Sequence, residues 1–183
     1  MLQYKKVRDI VLGHARQLGS ETVDLTRATN RILVQDVFAN IDVPSFDKSS
    51  INGFACRRAD LDNELTVIET VHVGNFPERT ISKNECARIT GGAMVPLGAD
   101  CVVRVEHMKI ISRNGVRFIG RETKDNIRFR GEKVKKGDVV LAKGTRIKPQ
   151  HIAILAAMDC TCPCVASNAN EEQYNWQRIS CTK

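Results

Sequence analysis

The sequence is poor in aromatic side chains and contains no long uninterrupted apolar run. Aromatic residues make up 5% of the 183 residues, so we expect a core built from valine, isoleucine, leucine and alanine. No apolar stretch approaches the ~20 residues that a membrane-spanning helix needs, and the basic residues near the N-terminus are not followed by a secretory apolar segment. The overall content of 42% hydrophobic and 27% charged residues is typical of a soluble globular protein. These features predict a cytoplasmic chain that does not bind a membrane.

A regular cysteine framework is also missing. The seven cysteines are odd in number and unevenly spaced, which argues against a secreted disulfide scaffold. Cys160, Cys162 and Cys164 form the one local cluster, but their spacing is narrower than that of the usual zinc motifs and Pro163 interrupts it. We therefore predict no metal site there, and we interpret residues 160–183 as a divergent, poorly ordered tail.

Acidic residues are fewer than basic residues, which gives the chain a formal net charge of +7. Basic side chains are concentrated between residues 124 and 148, and a surface of this kind attracts anions, including phosphates and oxyanions. A solvated basic face is the plain alternative. A nucleic-acid binder is disfavoured, because Phe129 is the one aromatic side chain available there for stacking.

The pattern of apolar residues predicts an α+β, β-rich fold. Apolar positions at helical spacing predict an amphipathic helix over residues 4–18 and a second helix from Pro149 to Met158. Between them, short alternating segments predict strands, and Asn114-Gly115 predicts a hairpin with a type I′ turn. The strands do not alternate with helices, so a Rossmann sheet is not indicated. The segment GGAMVPLG is not a phosphate-binding P-loop, because Lys-Ser/Thr does not follow the second glycine.

Three segments resemble the molybdopterin molybdotransferase family, which includes bacterial MoeA and the E domain of gephyrin. Residues 28–55, ending in PSFDKSSINGFA, resemble a run ending in P-x-F-D-N-S-A-M-D-G-Y-A. Residues 87–106 resemble a segment ending in T-G-A-x-x-P-x-G-A-D-x-V-V-x-x-E, and residues 126–157 begin like N-I-R-x-x-G-E-D-x-x-x-G-D. The three segments follow one another in the family's order, and the resemblance covers roughly residues 4–159.

The resemblance implies a cytoplasmic enzyme that inserts molybdate into adenylated molybdopterin, with Mg²⁺ as cofactor and a homodimeric assembly. It implies a mixed α/β domain made of residues 1–45 and 140–159, into which a β-rich domain of residues 46–139 is inserted. The family's pterin-binding domain would follow next, but nothing matches it in the sequence. The resemblance places substrate contacts at six residues: Ser49, Asn52, Gly53, Gly92, Arg128 and Glu132.

Three matched positions depart from the family pattern. Asn52, Gly91 and Lys133 stand where the family has an active-site Asp, Thr and Asp. Asn52 is a weaker ligand for a hard cation, Gly91 has no hydroxyl, and Lys133 reverses the charge. We therefore assign no catalytic residue and no metal ligand, and we expect the isolated chain to lack activity and to bind Mg²⁺ poorly. A non-catalytic dimerisation or scaffold module of the same family is the alternative.

Overall fold

The structure, a computed structural model, describes residues 4–14 and 19–167. Three short 3-10 helices lie at Leu25–Arg27, Arg58–Asp60 and Val105–His107. The helices are α1 (Tyr4–His14) and α2 (Pro149–Ala157), and the strands are β1 (Ser20–Thr22), β2 (Val37–Phe38), β3 (Lys48–Ser49), β4 (Gly53–Cys56), β5 (Glu64–Val71), β6 (Glu85–Ile89), β7 (Cys101–Arg104), β8 (Met108–Ile110), β9 (Gly115–Phe118), β10 (Ile127–Arg128), β11 (Val139–Leu141) and β12 (Cys164–Ala166). The predicted α+β, β-rich class is confirmed.

One of two compact units combines Met1–Phe38 with Val139–Lys183. Within it β1 pairs with β12 and β2 pairs with β11, both antiparallel, so the two stretches of chain that form this unit meet in two small sheets. Its core contains Leu33, Ile147, Leu155 and Val165, all at most 1% exposed. Leu155 comes from α2, whose first residue is Pro149, a favoured residue for a first helical turn.

The strand β12 corrects the prediction that disorder begins at residue 160. Ser20–Thr22 pairs with Cys164–Ala166 in antiparallel register, and the Val34 N–H donates to the Cys164 carbonyl at 3.2 Å. Val165 is fully buried in the core of this unit. A cysteine-rich stretch thus folds because it completes a sheet with a distant segment. The rest of the predicted tail, residues 168–183, lies outside the described residues.

The second unit, Ala39–Asp138, is built around a six-stranded sheet. The strand order is β7-β4-β6-β5-β9-β8, with β5 and β6 parallel and the other neighbours antiparallel. Phe54 and Cys56 contribute to a core cluster on one face, and Ala55, between them in sequence, contributes to a cluster on the other. Side chains alternate between faces along a strand, so β4 is buried on both sides.

The chain divides after Phe38 rather than after residue 45, where the sequence analysis placed the boundary. Residues 39–45 belong to the second unit because their backbone bonds go there. The Ala39 N–H donates to the Asp138 carbonyl at 2.8 Å, and the Val43 N–H donates to the Val134 carbonyl at 2.7 Å.

Local turn chemistry differs in detail from the sequence expectation. The hairpin joining β8 and β9 is present, but Asn114 and Gly115 do not have positive φ, so the predicted type I′ turn is wrong. Gly115 instead begins β9, and its carbonyl accepts the Ile111 N–H.

The predicted helix over residues 4–18 is described as α1 up to His14, and residues 15–18 lie outside the described part. Neither α1 nor α2, the helices of that part, has the length and apolar content to cross a bilayer.

Three cysteines form a row across the sheet of the second unit. Cys56 on β4 lies opposite Cys101 on β7 and Cys86 on β6, and all three are fully buried. The Sγ atoms of Cys56 and Cys101 are 3.8 Å apart. Contact with Cys101 and burial raise the pKa of Cys56, and burial raises the pKa of Cys86 to about 12. The Cys56 and Cys86 thiols therefore stay protonated, and all three buried cysteines pack as small apolar core residues.

Candidate functional site

The predicted site residues lie in the second unit, around the short strand β3. Ser49 on β3 pairs with Ile127 on β10, and Lys48 pairs with Arg128. On its other side Lys48 forms an isolated bridge with Met94, which follows the Gly91-Gly92 turn. The three segments that carry the sequence resemblance therefore meet around one strand. Hydrogen bonds decide which of their polar groups remain open to a ligand.

Ser49 is a framework residue, because it is 2% exposed. Its hydroxyl donates to the Ile51 carbonyl at 2.6 Å. Its backbone N–H donates to the Ala93 carbonyl at 2.9 Å, and its carbonyl accepts the Gly92 N–H at 2.7 Å. Ser49 therefore fixes the loop before β4 to the turn after β6.

Asn52 fastens the same two loops by its side chain. Its Oδ1 accepts the Gly91 N–H at 2.7 Å. Because both N–H groups of the Gly91-Gly92 turn donate to neighbouring protein atoms, neither is free to bind an oxyanion in this arrangement. The Asn52 oxygen that a cation would need is engaged by the same contact.

Gly53 and Gly92 are required by the backbone conformation at their positions. A Cβ atom on Gly53 would lie 1.9 Å from the Val103 carbonyl oxygen, so β4 and β7 approach closely only because this residue has no side chain. Gly92 has φ of +91°, a left-handed conformation that glycine adopts without strain. Neither glycine offers a side-chain group to a substrate.

Arg128 and Glu132 form an ion pair on the surface. The Arg128 Nη1 donates to the Glu132 Oε1 at 3.0 Å, and the Glu132 Oε2 accepts the Phe129 N–H at 3.1 Å. The Arg128 side chain remains 54% exposed, so part of its guanidinium faces solvent. The side chain of Arg130, two residues later, is 66% exposed, so both guanidinium groups face solvent in part.

Arg130 is held by acidic residues that the sequence analysis did not single out. Its Nε donates to the Asp42 Oδ2 at 2.6 Å, and its backbone N–H donates to the Asp47 Oδ1 at 2.7 Å. A hydrogen bond from the Lys136 N–H, and to a smaller extent one from the Arg130 guanidinium, holds the pKa of Asp42 below its usual range. Since Asp42 and Asp47 are more than 80 residues before Arg130 in sequence, no local pattern could have indicated these contacts.

The loop after β10 is a basic surface. Lys133, Lys135 and Lys136 are exposed, and none of them forms an ion pair with another described residue. Exposed ammonium groups make this loop attractive to anions. Two surface depressions lie elsewhere in the unit, one of about 600 Å³ beside Arg58 and Phe118 and one of about 650 Å³ beside Glu69 and Phe76.

The described residues do not fit the Mg²⁺ ion that the resemblance implies. They contain no group of three or more His, Cys, Asp or Glu side chains placed to hold a metal. At the matched positions Asn52 is bonded to Gly91, Glu132 is bonded to Arg128, and Lys133 is cationic. A hard divalent cation prefers several carboxylate or carbonyl oxygens, which these residues do not supply.

Comparison with known proteins identifies the family. Residues 2–158 match the family described as "MoeA N-terminal region (domain I and II)". The chain belongs to this family. The predicted resemblance is confirmed, and the match ends close to residue 159, where the sequence resemblance also ends.

Curated relatives and solved structures agree with this assignment. A molybdopterin molybdenumtransferase of Staphylococcus epidermidis is 38% identical over 148 residues, which are 76% of this chain and 35% of the relative. One from Haemophilus influenzae is 39% identical over 143 residues, again 76% of this chain and 35% of the relative. A structure of the molybdopterin biosynthesis moeA protein from Pyrococcus horikoshii OT3 is 31% identical with a TM-score of 0.80, covering 91% of this chain and 46% of that one. This MoeA-family chain therefore spans about a third of the length of these curated relatives.

Proposed function

We propose that this chain serves molybdenum cofactor biosynthesis as the domain I and II part of a molybdotransferase-type protein, and that this part alone does not insert molybdate. The observation that carries the proposal is the match over residues 2–158, combined with coverage of only 35% of the curated relatives. In those relatives the activity belongs to a much longer chain. The part described here supplies a folded scaffold and a basic surface.

The side chains at the matched positions support the absence of turnover. Molybdate and a phosphorylated pterin are both anions, and bringing them together requires positive charge. The chain offers Arg128 and Lys133 for direct contact with an oxyanion, but no carboxylate at residue 52, 91 or 133 for a bridging cation. We assign Arg128 to anion contact, because its guanidinium is half-exposed and its fork geometry suits oxyanions. With Asn52 and Lys133 in place, the family's Mg²⁺ would have to be held by other residues.

Release of AMP from adenylated molybdopterin in the presence of molybdate and Mg²⁺ tests this proposal. The chain should show no release above a protein-free blank, while the full-length S. epidermidis relative serves as the positive control. Turnover by the chain that disappears in Arg128→Ala and persists in Lys83→Ala, a basic residue outside this surface, would overturn the proposed lack of catalysis.

Helix α1 supports the alternative role in assembly. Val7, Ile10 and Val11 are 43–62% exposed, and α1 has no buried residue. An amphipathic helix with an uncovered apolar stripe gains stability by packing it against another surface. We propose that this surface is a second copy of the chain, in a cytoplasmic homodimer.

Sedimentation equilibrium tests the assembly proposal. Val11→Glu should shift the chain toward monomer, whereas Lys5→Glu, on the side of α1 opposite the apolar stripe, should leave the association unchanged. A wild-type chain that is monomeric at high micromolar concentration would contradict the homodimer.

A further inference from the structure

The strand β8 forms an uncovered edge of the six-stranded sheet. At the opposite edge, β7 is covered, because the Val102 N–H donates to the Asp125 carbonyl at 2.8 Å and the Asn126 Nδ2 donates to the Val102 carbonyl at 2.8 Å. In the part of the chain that the structure describes, β8 pairs with β9 alone. One side of this strand therefore has no backbone partner.

The register determines which groups point outward from this edge. The Ile111 N–H donates to the Gly115 carbonyl, and the Ile119 N–H donates to the His107 carbonyl, both at 2.9 Å. Bonding alternates along an antiparallel pair, so Lys109 also faces β9, whereas Met108 and Ile110 direct their backbone groups away from it. The Met108 N–H is taken by the Val105 carbonyl. The Met108 carbonyl and both backbone groups of Ile110 remain open among the described residues.

An apolar row on the core face runs out at the same edge. Leu65 on β5 lies beside Val116 on β9, and Val116 lies beside Ile110 on β8. Their exposed fractions are 0%, 3% and 75%. Met108, two residues before Ile110 on the same face, belongs to the core cluster. The core face thus continues onto β8 and ends at Ile110 without a covering side chain.

The opposite face of this edge carries two basic side chains on β8 and β9, and Glu64 of β5 lies on the other side of Arg117 from Lys109. Lys109 lies directly opposite Arg117, and both side chains are exposed. Neither forms an ion pair within the described residues. Like charges opposite each other on neighbouring strands are destabilising, so a negative charge placed beside Lys109 would relieve this repulsion.

These three features together select the kind of segment that fits the edge. A second β8 is a poor partner, because the antiparallel register that uses the open groups of Met108 and Ile110 in both copies places Lys109 against Lys109. An extended polypeptide can bond to the open backbone groups, place an acidic side chain beside Lys109 and place an apolar one beside Ile110.

We propose that the β8 edge is a docking site for an extended acidic segment of a partner protein, in which acidic and apolar residues alternate, bound as an added strand. A single-stranded nucleic acid could meet the positive charge but would leave the open backbone groups and Ile110 unused. The proposal concerns a face distinct from the β3 surface, so it stands independently of the proposed function.

Amide chemical shifts of the isotope-labelled chain test the docking site with three synthetic probes. One peptide alternates glutamate and valine over eight positions, a second has the same composition in two blocks, and a third has lysine in place of glutamate. The alternating acidic peptide should shift the amides of residues 108–111 saturably, and the other two should bind at least about fivefold more weakly. Equal binding of the block peptide, or shifts centred away from β8, would overturn the proposal, as would tighter binding of an oligothymidylate than of the acidic peptide.

Variants separate the contributions of charge and backbone. Lys109→Glu should weaken the alternating peptide about fivefold, since an exposed attraction becomes a repulsion. Lys83→Glu makes the same charge change away from the edge and from the basic loop after β10, and it should have no effect. Ile110→Pro removes the outward N–H and should weaken binding more than Ile110→Ala, which keeps it. Unchanged affinity in Lys109→Glu contradicts the proposal even where Ile110→Pro disturbs the hairpin.

Discussion

Removal of the Asn52 side chain should free the Gly91-Gly92 turn from the loop before β4. In the wild-type chain the Asn52 Oδ1 accepts the Gly91 N–H at 2.7 Å. Asn52 is exposed, so water can replace the lost acceptor, and Asn52→Ala should cost about 0.5–1 kcal/mol, the lower part of the range for a hydrogen bond. For a unit of this size that corresponds to a fall of about 3–6 °C in Tm. Locally, amide exchange at Gly91 should accelerate about two- to fivefold.

Two matched variants make the measurement specific. Asn52→Asp keeps an acceptor oxygen and should preserve the slow exchange of Gly91 at neutral pH. Asn63→Ala removes another exposed asparagine, which donates to the Asn84 Oδ1 at 2.9 Å, and should leave Gly91 unchanged. If Gly91 exchanges equally fast in wild type and in Asn52→Ala, the contact does not hold the turn, and the assignment of Asn52 as a loop clamp is refuted.

Three further predictions concern the sheet core. Gly53→Ala should destabilise the second unit by at least about 3 kcal/mol in urea unfolding, because its Cβ would meet the Val103 carbonyl oxygen at 1.9 Å, whereas Gly13→Ala in α1 meets no atom and should not. Burial raises the pKa of Cys86 from 9.0 to about 12, so stability should fall as pH rises from about 9 toward 12, where the unfolded thiol ionises and the folded one does not. Cys86→Ala should reduce that slope by up to about 1.4 kcal/mol per pH unit in guanidinium titrations. In a thiol-labelling assay, exposed Cys162 should react in the native chain, and the three buried cysteines only after unfolding.

Local sequence signals predicted the local elements well. The helical spacing and Pro149 indicated α2, and Asn30, a residue type that tolerates the left-handed conformation, has φ of +68°. The short 3-10 helix Leu25–Arg27 has two polar residues near its start, Asp24 and Thr26. Asp24 is the cap, because its Oδ1 accepts the Thr26 N–H at 2.8 Å. Cap choice depends on which of two neighbouring polar side chains reaches the N–H, and composition alone does not decide that.

Strand pairing between segments that lie far apart in the sequence could not be predicted from local patterns. β12 forms because residues 164–166 meet β1 more than 140 residues earlier, and its cysteine-rich composition gives no strand pattern. The site shows the same limit. The family motifs located Asn52, but its contact with Gly91, 39 residues later in the chain, follows from the pairing of β4 with β6. Motifs identify positions, and the fold decides which of their atoms remain free.

AMP release by a chimera tests the central claim most directly. Residues 1–158 of this chain would be joined to the remaining part of the S. epidermidis relative, which would supply what lies beyond the matched region, and the fold would be checked by circular dichroism. The native chimera should release no AMP above background, whereas the chimera carrying Asn52→Asp, Gly91→Thr and Lys133→Asp together should do so. A native chimera as active as the full-length relative would contradict the account.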